Sequence, residues 1–164
     1  MPKYRILSAE ELQHFEKEFV KFLVVNGIDA DNWKQIQKEK PKEMDKFIEL
    51  FSDVVFETIM RKTEYLVYVN NSQIYAFNYK EEKASLFIAQ MGDVGELKLV
   101  DEKALIELVS DNCLNWAISY QEKEYKKSRE EEIFQMVQST CMIVGEDIYK
   151  HLEASYKQKS REAE

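Results

Sequence analysis

The sequence has little arginine, histidine and cysteine, and it holds no apolar run of the roughly 20 residues that a bilayer-spanning helix requires. Of 164 residues, four are arginine, two are histidine and two are cysteine. Scarce arginine argues against a phosphate-gripping nucleic-acid surface, which needs clustered cations. The two cysteines, Cys113 and Cys141, lack C-x-x-C or other metal-ligand spacing. The first residues, Met1-Pro2-Lys3-Tyr4-Arg5-Ile6-Leu7, carry no apolar stretch of signal-peptide length. The expectation is a cytoplasmic protein whose cysteines remain free thiols, with Cys141 a small buried hydrophobe.

Known catalytic signatures are also missing. The chain has no P-loop, dinucleotide fingerprint, G-x-S-x-G elbow or H-E-x-x-H. Gly92-x-x-Gly95 has the spacing of a backbone-clamping loop, but it follows a predicted strand among acidic neighbours and reads as a turn. The net charge of −8 comes from interleaved acidic and basic residues. Such a surface favours solubility and repels polyanions, and it does not form an acidic block.

What is present is a globular composition, 45% hydrophobic and 33% charged, in a length suited to one domain. Ser8-Ala9-Glu10-Glu11 is a capping-box sequence, and Leu12, Phe15, Phe19, Phe22 and Leu23 continue it as one helical stripe ending at Asn26-Gly27. A short helix with Trp33 and Ile36 follows. A longer one from Pro41 to about Lys62 carries Met44, Phe47, Phe51, Val55 and Ile59.

The pattern then changes. Tyr65–Val69, Gln73–Tyr79 and Ser85–Met91 are aromatic and β-branched, with short polar breaks, and predict an antiparallel meander. Residues 96–100 alternate and suggest a further short strand. A helix capped by Asp101 comes next, then a strand from Leu114 through Trp116 to Tyr120. A helix capped by Ser128 is expected to carry Ile133, Val137, Cys141 and Val144, and a terminal helix to carry Ile148, Leu152 and Tyr156. The expected class is α+β: an antiparallel meander of three to five strands packed with N-terminal and C-terminal helices. Residues 1–158 are expected to form a single domain and 159–164 a frayed tail.

Lys3-Tyr4-Arg5-Ile6-Leu7-Ser8, Glu18-Phe19-Val20-x-Phe22-Leu23 and Glu64-Tyr65-Leu66 resemble a family of small uncharacterised bacterial proteins, along most of the chain. The resemblance implies a free-standing bacterial domain of unknown function. It carries over no site residues.

Three constellations bear on chemistry. Glu10, His14 and Glu18 line one face of the first helix, but that face points away from its apolar stripe and also carries Lys17 and Lys21. It reads as a solvated face, so no metal is expected. Tyr75, Phe77 and Tyr79 share one face of their strand, and Tyr65 and Phe87 join them if the register allows. Exposed, such a face stacks nucleic-acid bases, yet the segment's only cations, Lys80 and Lys83, sit in a turn beside Glu81 and Glu82. No nucleic-acid partner is expected. Finally, His151 lies at the flank of the terminal helix's inner face.

Two functions from different classes follow. The first is a non-enzymatic interaction module that binds a protein partner or a second copy, through the aromatic sheet or a helical face. The second is a ligand-binding protein or small enzyme with a pocket between the sheet and the terminal helices. Tyr75, Tyr79, Trp116 and His151 would bind there, beside Cys141. No catalytic residue is assigned in either reading, and no cofactor, metal or membrane is expected.

Overall fold

The computed structural model describes residues 1–92 and 101–163. The chain forms two compact units, 1–59 and 60–164. Among the described residues there are seven α-helices and one five-stranded antiparallel sheet. The α+β class with a meander sheet, read from helical stripes followed by aromatic and β-branched segments with short polar breaks, is therefore observed. No helix among the described residues is long and apolar enough to cross a membrane.

The first unit is helical. Helix α1 (Ala9–His14) begins in the expected capping box: Ser8 Oγ accepts from the Glu11 N–H at 3.2 Å, and Glu11 Oε2 accepts from the Ser8 N–H at 2.8 Å. The single helix read from Leu12 to Leu23 is divided. Phe15 leaves helical geometry (φ −101°, ψ 23°), and its N–H is shared between the Glu11 and Leu12 carbonyls, so α2 (Glu16–Val25) starts anew. Helix α2 ends at Gly27, whose φ of +78° is accessible to glycine at little cost. Helix α3 (Ala30–Glu39) is capped by Asp29, and α4 (Pro41–Lys62) follows.

Aromatic contacts assemble this unit. Phe19 meets Trp33 edge-on with ring centroids 5.3 Å apart and Phe51 at 5.0 Å, while Phe22 meets Phe51 at 5.4 Å. The N-terminal segment is tied to α4 by polar contacts. The Lys3 and Tyr4 N–H groups donate to the Asp53 carboxylate at 2.8 and 3.0 Å, and the Leu7 N–H donates to Ser52 Oγ at 2.9 Å.

In the second unit the strands are β1 (Tyr65–Val69), β2 (Gln73–Tyr79), β3 (Lys83–Gln90), β4 (Ala117–Glu124) and β5 (Met142–Val144), in the spatial order β4-β3-β2-β1-β5. The β1–β2 turn is built by Asn70, whose Oδ1 accepts from the Ser72 and Gln73 N–H groups at 3.0 and 2.8 Å. Helices α5 (Glu102–Asn112) and α7 (Asp147–Glu162) pack on one sheet face. Val67, Ile74, Ala76, Phe87 and Ala89 meet Leu105, Val109, Ile148 and Leu152 there, all essentially buried.

Two expectations are corrected, and the register decides one that was left open. The strand read from Leu114 begins only at Ala117, because Cys113–Asn115 form a 3₁₀ turn and Trp116 caps it. Helix α6 (Arg129–Ser139) stops before Cys141, and Met142, Ile143 and Val144 form β5 against Val67, Leu66 and Tyr65 of β1. Val137, Cys141 and Val144 imitate a helical face in sequence. Thr140, Ile143 and Val144 are β-branched, however, and the free edge of β1 offers them a ladder. Lastly, Tyr65 and Phe87 lie on the helix-covered face, opposite Tyr75, Phe77 and Tyr79, since Tyr65 pairs with Asn78 and Phe87 with Ala76. The strand expected at residues 96–100 and most of the Gly92-x-x-Gly95 turn lie outside the described residues.

Candidate functional site

The side chains expected to share a pocket occupy different surroundings. Tyr75 is half-buried on the sheet face away from α5 and α7, 5.6 Å ring to ring from Tyr68, and its hydroxyl donates to Gln73 Oε1 at 2.9 Å. Tyr79 lies on that same face, 1% exposed, stacked between Phe77 and Tyr125. Trp116 is buried in the core under the opposite face. His151 is exposed on α7, and His14 is exposed on α1. No group of three or more His, Cys, Asp or Glu side chains fit to hold a metal occurs among the described residues.

Tyr79 is also one of the residues that line a polar basin open to solvent, together with Arg129 and Lys80. Its hydroxyl is buried without a hydrogen-bond partner, as is Glu132 Oε2, while Glu132 Oε1 accepts from Lys123 Nζ at 3.1 Å. Burial pushes the Tyr79 hydroxyl well above the ordinary tyrosine range and also raises the Cys141 thiol. A buried thiol held protonated is a poor nucleophile. The backbone here is clamped by Arg129 at the start of α6. Its guanidinium donates to the carbonyls of Tyr79, Met60 and Thr63. These three acceptors lie at the end of β2, the end of α4 and just before β1.

Among the concavities of the described residues are an apolar groove in the first unit and a polar basin in the second. In the first unit, Phe15, Phe22 and Val25 of the α1–α2 segment face Phe51, Val54, Val55 and Ile59 of α4 across a groove of about 380 Å³. Glu18, Lys21 and Thr58 are its only polar lining residues. Val25 and Val54 are 85% and 51% exposed. The helical stripes expected to form core therefore include Phe15, Phe22 and Ile59, which stay half-buried and line this groove.

In the second unit, a polar basin of about 610 Å³ opens where β1 and β2 meet the ends of α4, α6 and α7. Arg61, Lys80, Arg129 and Lys150 line it together with Glu64, Glu81 and Glu130. Tyr65 and Asn78, paired across β1 and β2, contribute neutral polar groups. Behind them, Ser85 Oγ and the Tyr149 hydroxyl are hydrogen-bonded at 2.6 Å in the interior. Sequence reasoning missed the basin because its charged residues are far apart in the chain and look like ordinary surface charges. Only the strand register and the return of α6 and α7 bring them together.

No curated protein and no solved structure matches this chain. The model of a family of unknown function, DUF6495, matches residues 1–157. The chain belongs to that family.

Proposed function

We propose that this protein is a non-catalytic interaction module of the bacterial cytoplasm, which receives the apolar face of a partner protein's helix in the groove between α2 and α4. One observation carries the reading: an apolar concavity lined by three phenylalanines, with exposed valines on both walls. Isolated exposed apolar residues are ordinary, but a concave run of them with few polar neighbours is the form of a helix-in-groove site. Phe51, Val55 and Ile59 recur at four-residue spacing along α4. They offer a row of hollows to side chains spaced three and four apart on an incoming helix.

Site-specific photo-crosslinking in the native host tests this. A benzophenone side chain at Val54 should give a discrete adduct that maps to a helix of one protein, or of a second copy of the chain. Val25→Asp in the same background should abolish it. If the Val54 probe gives no adduct beyond those of a probe at exposed Gln35, the reading fails.

A further inference from the structure

We infer that the basin of the second unit binds a small zwitterionic metabolite, one carrying an anionic group and an ammonium on the same body, such as a free amino acid or a phosphorylated amine. A volume of about 610 Å³ lies within the usual range of ligand sites. The charges around it alternate in sign. Arg61 lies in the last turn of α4, Lys80 follows β2 and Lys150 lies on α7, while Glu64 precedes β1, Glu81 follows β2 and Glu130 lies in the first turn of α6.

Those signs restrict the ligand. A polyanion would meet three carboxylates in a chain of net charge −8, and a polycation would meet four cations. A plain anion would feel nearly balanced fields. A molecule with both signs engages both sets at once, and its anionic and cationic ends are oriented by them.

The interior of the basin suits this role. Arg129 is held by three backbone carbonyls and has an ion pair with Glu130 at 3.6 Å, so its charge is fixed in position and most of its donors are engaged. Lys80, Glu64 and Glu81, by contrast, form no ion pair within 4 Å among the described residues. They are charged groups available to a ligand. Asn78 and Tyr65 supply hydrogen-bonding groups between them.

The test is a two-dimensional amide NMR titration of the whole chain with the individual L-amino acids and with phosphoethanolamine. Acetate, inorganic phosphate and putrescine serve as single-sign controls. At least one zwitterion should give saturable shifts at Lys80, Glu81, Glu130 and Lys150, and the controls should not. Lys80→Ala combined with Lys150→Ala, both at exposed positions, should weaken that binding about tenfold or more without lowering the melting temperature. The inference is overturned if no zwitterion saturates, if acetate or phosphate produces the same saturable shifts, or if the double variant binds as the parent does.

Discussion

The Arg129 guanidinium donates two hydrogen bonds to the carbonyl of Tyr79, from Nε at 3.1 Å and from Nη2 at 2.9 Å. The same group also reaches the Met60 and Thr63 carbonyls, so one side chain ties the end of α4 to the end of β2. Replacing it leaves several carbonyls without a charged donor. Arg129→Ala should cost about 2–4 kcal/mol in urea denaturation. Arg129→Lys should recover little, because an ammonium cannot span the three acceptors.

Tyr79 shows the opposite balance. Its ring is stacked and buried, but its hydroxyl has no partner. Tyr79→Phe retains the packing and removes the unpaired group. The variant should be as stable as the parent or up to about 1 kcal/mol more stable. A clear loss in calorimetry would mean that the hydroxyl is hydrogen-bonded in solution.

Arg5 and Glu11 form a two-pronged ion pair, with both N···O distances at 2.8 Å. The Arg5 guanidinium first, and the Ser8 N–H second, hold the Glu11 carboxyl at about 2. Because this lies below the unfolded value, the pair stabilises the fold above the ordinary carboxylate range. That contribution is lost as the pH falls through about 2. The side chains are 37% and 38% exposed, so the effect should stay within about 1 kcal/mol. Carboxyl-carbon NMR should find Glu11 titrating near 2, and Arg5→Ala should move it upward.

At alkaline pH, Tyr120 should be a late-titrating phenol. Its hydroxyl donates to Glu122 Oε1 at 2.6 Å, and that acceptor, with burial second, raises its pKa to about 12. A raised folded value means that the stabilisation is complete below the free-tyrosine value. It is lost as the pH rises through about 12. Spectrophotometric titration should show this step moving downward in Glu122→Gln.

How far the sequence announced this arrangement can be judged from particular residues. Ser8, Asp29, Asp101 and Ser128 are local caps, and each sits where its oxygen can accept a nearby N–H. Tyr65–Val69 and Gln73–Tyr79 announced the meander by their aromatic and β-branched composition between polar breaks, and Leu66 and Val67, on opposite faces of β1, are both buried. Non-local decisions were hidden. Val144 was placed on a helix because its partner, Tyr65, is remote in sequence. The face of Phe87 required the register. The groove was hidden for a different reason: Phe22 and Ile59 obey a core pattern, and periodicity cannot distinguish a covered apolar face from an open one.

The three-residue strand β5 has a consequence for synthesis and folding. Tyr65 pairs with Val144, so the two partners are separated by about 80 residues of intervening chain. Pairing across such a distance closes a large loop before any contact rewards it, which slows folding. While the chain emerges from the ribosome, the β1–β2–β3 meander can form early, but the outer edge of β1 has no neighbour until Val144 is available. During that interval the nascent sheet presents an unpaired strand, the state in which β-proteins aggregate or recruit chaperones.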